Sequence, residues 1–155
     1  MSSKPAAVTV SALETHIGYW LRAVSNQVSA GFAAKVASEG VSVAEWVILR
    51  QLFDIDTAPS LLAEKIGMTR GAVTKIADRL IAKALVTRIA AQDDRRYQAL
   101  ALTKEGRRLV PKLAALADQN DREFFGHMSA GERKAIEAAM RVIVRRHGIA
   151  AIPIE

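Results

Sequence analysis

The sequence predicts a mainly α-helical single domain with one small β-hairpin. Apolar residues recur every three or four positions in six separate stretches, which is the period of helices that pack one face against a core. Between residues 85 and 102, two short β-leaning segments flank a polar run, which indicates a hairpin. The chain of 155 residues is long enough for one hydrophobic core, so we treat residues 1–155 as a single domain.

Composition restricts the chemistry and the location of the protein. The sequence has no cysteine, which excludes disulfides, thiolate metal sites and thiol redox chemistry. Residues 1–10 are small, polar and proline-bearing, unlike the charged start and apolar run of a signal peptide. No stretch of about 18 apolar residues is present, so we expect no membrane span and a cytoplasmic protein.

The first two helices are predicted from serine–glutamate pairs at capping-box spacing. Ser11 and Glu14 predict the start of a helix over about residues 12–38, which ends near Gly40. Ser42 and Glu45 have the same spacing and predict a second helix as far as about residue 54. The second helix is apolar on nearly all sides, which predicts a buried position at the centre of the fold.

A helix-turn-helix is predicted over residues 60–83. Ser60 is expected to cap a short helix that ends at Gly67, and Thr69 to cap a second helix over about residues 70–83. Two helices joined by so short a glycine-containing turn form a helix-turn-helix. The second helix has two faces: Val73, Ile76, Ala77 and Leu80 are predicted to face the core, and Gly71, Thr74, Lys75 and Asp78 to face outward.

Two long helices are predicted after the hairpin. Thr103 is placed to cap the first of them, which carries Leu109, Leu113, Leu116 and Phe124 on one side. Ser129 and Glu132 form a third capping-box pair, which predicts a last helix through about residue 147. The apolar stripe of that last helix consists of Ile136, Met140, Ile143 and Val144.

The positive charge of the chain is concentrated in one segment. The formal net charge is +6, and residues 70–104 alone hold eight basic and three acidic side chains. Residues 1–69 hold five basic and six acidic side chains, so the excess is local. A local basic patch indicates a partner with a phosphate backbone, although a solvated basic face is the alternative reading of charge alone.

The sequence resembles the MarR family of winged helix-turn-helix transcriptional regulators over about residues 11–147. The resemblance is carried by the run LLAEKIGMTRGAVTKIADRLIAKALVTR, by Asp94-Arg95-Arg96, and by the L-T-x-x-G pattern from Leu102 to Gly106. It implies a winged helix-turn-helix lobe over residues 42–102 and dimerisation helices over residues 11–38 and 103–147. It also implies a homodimer on pseudo-palindromic double-stranded DNA, a repressor that a small phenolic or aromatic ligand releases. Ala84 departs from the glycine of many members and could prolong the helix or alter the tilt of the wing.

The predicted DNA contacts lie on the second helix of the helix-turn-helix and on the wing. In such motifs the second helix enters the major groove with its N-terminal residues nearest the bases. Arg70, Lys75 and Thr74 could contact either bases or phosphates. Gly71 permits close approach, Arg79 is assigned to a phosphate, and Asp78 is expected to orient Arg79 or another basic residue. Lys83 is left open between a DNA contact and a solvated surface group.

The wing residues are assigned partly by the resemblance. It implies that Arg96 enters the minor groove while Asp94 steadies the wing, and Arg95 is read as a phosphate contact. Arginine suits a narrow minor groove because the negative potential there favours a weakly hydrated cation. The alternative is that these residues form a charged turn that does not contact DNA.

An effector site is predicted from the aromatic and polar residues of the first two helices. Stacking surface and a cation would suit an aromatic acid. The alternatives are core positions for the two tryptophans and a surface position for the histidine. The candidate residues are His16, Tyr19, Trp20, Arg22 and Trp46.

The sequence does not predict an enzyme, a cofactor site or a metal site. The phosphate-binding GxxxxGK[ST] and GxGxxG patterns are absent, and so is the HExxH pattern. Two alternatives to a DNA-binding regulator remain open. One is a winged helix that docks other proteins without binding an operator, and the other is a small-molecule-binding enzyme.

Overall fold

The computed structural model describes residues 9–90 and 98–149. A short 3-10 turn, Leu13–Thr15, precedes the first helix. The regular elements that follow are α1 (Ile17–Ser38), α2 (Val43–Asp54), α3 (Pro59–Ile66), α4 (Arg70–Ala82), β1 (Val86–Ala90), β2 (Gln98–Leu102), α5 (Lys104–Phe125) and α6 (Ala130–His147). The predicted fold class, mainly α with one small hairpin, is therefore confirmed.

The hydrophobic core lies in the lobe formed by α2, α3, α4, the hairpin and the first half of α5. The predicted central helix α2 is buried at Ile48, Leu49 and Leu52, each with no exposed surface. The predicted core face of α4 is confirmed, because Val73, Ile76, Ala77 and Leu80 are all buried. The opposite face of α4 is thereby left to solvent.

The hairpin is antiparallel and is extended by a segment that the sequence did not predict. Val86 pairs with Leu102, and Ala90 pairs with Gln98. Thr57, which lies in the loop before α3, exchanges two backbone hydrogen bonds with Leu100, at 2.9 and 3.2 Å. Because β2 contacts this loop on one edge and the core through its side chains, four of its five residues are buried. This burial on both faces explains the imperfect alternation in its sequence.

Two of the three predicted capping boxes are confirmed, and one prediction is wrong. Ser42 with Glu45, and Ser129 with Glu132, make both reciprocal hydrogen bonds. No such pair forms at residues 11–14, and α1 begins only after His16. Side chains near this point bond to backbone carbonyls that a continuous helix would use. The Thr15 hydroxyl donates to Ala12 O at 2.6 Å, and Trp20 Nε1 donates to Glu14 O at 2.9 Å.

The start of α3 also differs from the prediction. The helix begins at Pro59, after Ala58 as the N-cap residue without a side-chain bond, so Ser60 is not the cap. Proline has no backbone N–H to satisfy and a backbone angle already suited to the first helical position. The helix therefore begins one residue earlier than the serine suggested.

A polar contact ties α1 to the second half of α5. Asn120 is buried, and its Nδ2 donates to Val28 O at 3.1 Å. Its Oδ1 accepts from Lys35 Nζ at 3.1 Å, and the same ammonium donates to Glu123 at 2.6 Å. Both polar atoms of the buried Asn120 side chain therefore have a hydrogen-bond partner, as burial requires.

The single chain leaves two apolar surfaces open at its ends. On α6, the predicted stripe of Ile136, Met140, Ile143 and Val144 is between 41% and 45% exposed. At the start of the chain, Leu13 and Ile17 are more exposed still, at 70% and 76%. In the described part of the chain, no helix combines the length and the apolar run that a membrane crossing would need.

Candidate nucleic-acid interface

The turn between α3 and α4 fixes where the second helix begins. Gly67 has a φ of +72°, a left-handed conformation that ends α3 and suits glycine. Two residues later, the Thr69 hydroxyl accepts from Ala72 N at 3.2 Å and caps α4. Both assignments confirm the prediction from the sequence. They place Arg70 and Gly71, both of them exposed, in the first turn of α4.

The outward face of α4 carries the predicted basic and small residues. Arg70, Gly71, Lys75 and Arg79 are exposed, and Thr74 is half-buried. The protein places nothing within 4 Å of where a Gly71 side chain would lie, so its own packing does not require glycine there. The Thr74 hydroxyl donates to Arg70 O at 2.9 Å. Its proton is therefore occupied, and Thr74 presents an acceptor oxygen and a methyl group.

Asp78 connects α4 to the hairpin. Its carboxylate accepts from Arg88 Nη2 on β1 at 2.8 Å. We expected Asp78 to orient Arg79 or another basic residue, and the residue is Arg88. The pair links the helix to the first strand of the hairpin, although both side chains are partly exposed and the pair adds little stability by itself.

A buried carboxylate anchors the C-terminal half of α4. Glu45 is 2% exposed, and its Oε2 accepts from Ser42 N at 2.9 Å and from Lys83 Nζ at 2.8 Å. Its other oxygen, Oε1, lies 3.5 Å from Arg79 Nε. Burial acts to raise the pKa of Glu45, but the bonds from Lys83 and Ser42 and the nearby charges outweigh it and leave the pKa below its ordinary value.

The sequence pointed to only part of this cluster. Glu45 was identified as a capping residue, and Lys83 was left open between DNA and solvent. The structure gives Lys83 a third role, because its ammonium also donates to Gly40 O at 2.8 Å. These partners lie about forty positions apart in the chain, at separations of 38 and 43, so helical periodicity carries no signal of their contact.

The junction between α4 and the hairpin is a tight helix stop. Ala84 has a φ of +56°, and among the described residues it is the one non-glycine with a positive φ. Its N–H donates to Ile81 O at 2.9 Å, and Leu85 N donates to Leu80 O at 2.9 Å. This is the Schellman pattern of helix termination. Alanine therefore does not prolong α4, which ends at residue 82.

The L-T-x-x-G pattern fastens this junction to α5. The Thr103 hydroxyl donates to Ala84 O at 2.7 Å and accepts from Gly106 N at 3.0 Å, which also confirms Thr103 as the cap of α5. Thr103 N donates to Leu85 O at 3.1 Å. A side chain on Gly106 would overlap that same Leu85 oxygen. Threonine and glycine thus allow the hairpin base and the helix to meet closely.

The predicted wing tip lies outside the described residues. Asp94, Arg95 and Arg96 fall between residues 90 and 98, so their assignments stay predictions from the sequence. The strands that flank them are described, and their register is set by the pairing of Ala90 with Gln98.

The five predicted effector residues do not form one cluster within a single chain. His16, Tyr19, Trp20 and Arg22 are exposed at the start of α1, where Tyr19 and Trp20 make an edge-to-face contact with ring centroids 5.2 Å apart. Trp46 instead packs against Phe32 on the lobe, at a centroid distance of 6.4 Å. Phe32 lies thirteen residues beyond Tyr19 on the same helix, which corresponds to roughly 20 Å.

An open groove of about 310 Å³ lies elsewhere, between the end of α5 and α6. Its apolar lining includes Phe125, Met128, Ile136 and Met140, and Arg133 also lines it. None of the five predicted effector residues lines it. The candidate effector residues and this groove are therefore separate features.

The geometry defines a class of fold, and comparison with known proteins shows which proteins the chain is similar to. An exposed basic helix, preceded by a short helix and followed by a hairpin, is a winged helix-turn-helix, here carried between long helices. Residues 39–96 match the sequence model of the MarR family. This segment, 58 of the 155 residues, is similar to that family, which is the family that the sequence resembles.

One regulator of known sequence is similar to part of the chain. The HTH-type transcriptional regulator PrsX of Escherichia coli is 27% identical over 101 residues, which are 63% of this chain and 61% of PrsX. The chain thus spans less than two thirds of the length of this curated relative.

Two solved structures share the fold. BpsR of Bordetella bronchiseptica, described in terms of the regulation of its DNA binding by 6-hydroxynicotinic acid, has a TM-score of 0.74 at 24% identity, over 87% of this chain and 97% of BpsR. A mutant MarR from Escherichia coli complexed with operator DNA has a TM-score of 0.73 at 19% identity, over 83% and 93% of the two chains.

Proposed function

We propose that the protein is a homodimeric, sequence-specific DNA-binding transcriptional regulator in which α4 enters the major groove. The observation that carries the proposal is the division of α4 into two faces. Val73, Ala77 and Leu80 are fully or almost fully buried, while Arg70 and Lys75 are exposed on the other side. A rigid helix with a basic outer face suits the phosphate backbone and the base edges of a groove.

Homodimer formation is supported by the open apolar surfaces. The stripe on α6 and the apolar residues before and within the first turns of α1 are exposed in the single chain. Large exposed apolar patches typically mark an interface with another protein. A second copy of this chain would supply the same surfaces and bring a second α4 to the DNA, as a two-fold operator requires.

Release by a small aromatic ligand is supported by the exposed aromatic pair at the start of α1. Tyr19 and Trp20 offer stacking surface, and Arg22 lies on the same stretch of helix. The described regulation of BpsR by 6-hydroxynicotinic acid gives the chemical class to test first. Because the chain has only two tryptophans, Trp20→Phe and Trp46→Phe each leave one fluorescent reporter. Quenching by aromatic acids that is lost in Trp20→Phe and kept in Trp46→Phe would support the site at Trp20.

The alternative, a winged helix that docks other proteins, is less well supported by the outer face of α4. That face presents Lys75 to solvent, whereas lysine is depleted at protein interfaces. Selection of bound duplexes from a random pool tests the two functions. We expect enrichment of a two-fold sequence with half-sites roughly 10 base pairs apart. Failure to enrich any sequence, or protection of one half-site only, would contradict the proposal.

A further inference from the structure

The buried carboxylate of Glu45 has more partners than its capping role requires. Capping of α2 requires one acceptor at this position, and glutamine supplies one equally well. Glu45 in addition faces two cations from α4, Lys83 through Oε2 and Arg79 through Oε1. A buried ionised group is costly unless such partners compensate it. The contacts of Glu45 with α4 therefore serve a purpose other than the capping of α2.

The two cations are held differently. Lys83 is fixed by two short bonds, to Glu45 and to Gly40 O, so it fastens the end of α4 to the corner between α1 and α2. Arg79 makes a single longer approach, through Nε at 3.5 Å, and its side chain is 57% exposed. The shortest approach is through Nε, and the guanidinium also carries two terminal nitrogens that are donors.

We propose that Glu45 is a positioning residue, which holds the guanidinium of Arg79 so that its terminal nitrogens face a DNA phosphate. This inference rests on the proposed function. An arginine held through Nε keeps the planar pair of donors that matches a phosphate, and less rotational freedom is lost when the phosphate binds. Glu45 acts on the DNA only through Arg79, since it is itself buried beneath α4.

The two oxygens of Glu45 allow the roles to be separated by one substitution. In Glu45→Gln, the amide oxygen can replace Oε2 and keep the bonds from Ser42 N and Lys83 Nζ. The amide nitrogen then replaces Oε1 and sets a donor against the donor Nε of Arg79. The anchor of α4 is kept, while the orientation of Arg79 is lost.

The test compares four full-length variants on one duplex that the wild type selects. They are Glu45→Gln, Arg79→Ala, the double variant, and Glu105→Gln as a matched control. Glu105 forms an exposed pair with Arg108 at 2.8 Å, so its substitution removes the same charge without touching α4. Affinity is measured at several salt concentrations, and the active fraction of each variant is determined by titration at saturating DNA.

We expect Glu45→Gln to bind DNA roughly tenfold more weakly than Glu105→Gln, because the hydrogen bond from Arg79 to a charged phosphate contributes about that factor. The slope of log affinity against log salt should become shallower by about 0.9, the value for one lost phosphate contact. Arg79→Ala should show the same loss, and the double variant should bind no more weakly than Arg79→Ala.

Two results would overturn the positioning role. Glu45→Gln could match the Glu105→Gln control in affinity and slope, or it could lose affinity with an unchanged slope and add to the loss in Arg79→Ala. The second result would mean that the carboxylate only stabilises the lobe. If the wild type itself showed no salt-dependent DNA binding, the proposed function and this inference would fail together.

Discussion

Ala84 gives a prediction whose sign follows directly from backbone geometry. Its φ of +56° lies in the left-handed region, which costs a residue with a Cβ about 1–2 kcal/mol. Replacement by glycine removes that cost but also loosens the unfolded chain, by about 0.4–1 kcal/mol. The Ala84 methyl is exposed, so little packing is lost. We therefore expect Ala84→Gly to raise the free energy of unfolding by about 0.5–1 kcal/mol.

The matched control lies two residues earlier in the chain. Ala82 is exposed too, but it is the last residue of α4 and has a helical backbone. Ala82→Gly should lower the free energy of unfolding by about 0.5–1 kcal/mol. Urea denaturation followed by circular dichroism, at one fixed protein concentration, measures both changes. The same substitution should therefore have opposite signs at two neighbouring positions.

A loss of stability in Ala84→Gly equal to that in Ala82→Gly would refute this reasoning. It would mean that residue 84 does not adopt the left-handed conformation and that α4 continues into the hairpin. Operator affinity adds an independent observation, since the Schellman bonds from residues 84 and 85 are kept by glycine. We expect that affinity to remain within a factor of about two.

Four further predictions concern the junction, the buried carboxylate and the wing. Thr103→Val should cost about 1–2 kcal/mol in urea denaturation, because the hydroxyl makes two hydrogen bonds, and Thr103→Ser should restore most of the loss. Gly106→Ala should cost about 2 kcal/mol or more, since the methyl overlaps Leu85 O; a gain in stability, which glycine to alanine ordinarily gives inside a helix, would disprove the close approach. The pKa of Glu45 is lowered by folding, so its charge stabilises the protein above the unfolded pKa and this contribution is lost as pH falls through the folded pKa. The difference in unfolding free energy between wild type and Glu45→Gln should accordingly shrink as pH falls below about 4.5, the ordinary pKa of a glutamate, and a constant difference would argue against an ionised Glu45. Arg96→Ala should weaken operator binding without changing the urea midpoint, and unchanged affinity would refute the wing assignment.

The sequence predicted most of the helical framework because the signals that set it are local. The cap at Thr69, the stop at Gly67 and the apolar period of α4 together fixed the second helix of the helix-turn-helix to within one residue. These signals involve residues no more than one or two helical turns apart. Local chemistry of that kind can be read without knowing the tertiary structure.

Both errors in the prediction concern helix starts, where one local preference outweighed another. At the start of α1, side chains of Thr15 and Trp20 compete for the carbonyls that a capped helix would use. A spacing rule for Ser11 and Glu14 does not include that competition. At Pro59, the preference of proline for the first helical position outweighed the preference of serine for the cap.

The sequence predicted which residues lie on the outer face of α4, but it did not predict the contacts that hold this helix in position. The outer face of α4 follows from periodicity and charge, and the structure places Arg70, Lys75 and Arg79 on it. The contacts that hold this face in position join distant parts of the chain, such as Lys83 to Gly40 and Glu45. Such contacts depend on the packed fold rather than on a sequence period, and only the structure revealed them.

The central claim is that α4 binds DNA through its exposed basic face, and the salt dependence of binding tests it most directly. Affinity for a selected duplex would be measured between 50 and 200 mM salt, for the wild type and for Lys75→Ala. We expect the wild type to lose affinity by on the order of 10³-fold over that range, through release of counterions from six or more phosphates. Lys75→Ala should bind more weakly, with a shallower slope if the lysine contacts a phosphate. Binding that does not respond to salt, or no binding to any duplex, would contradict the claim.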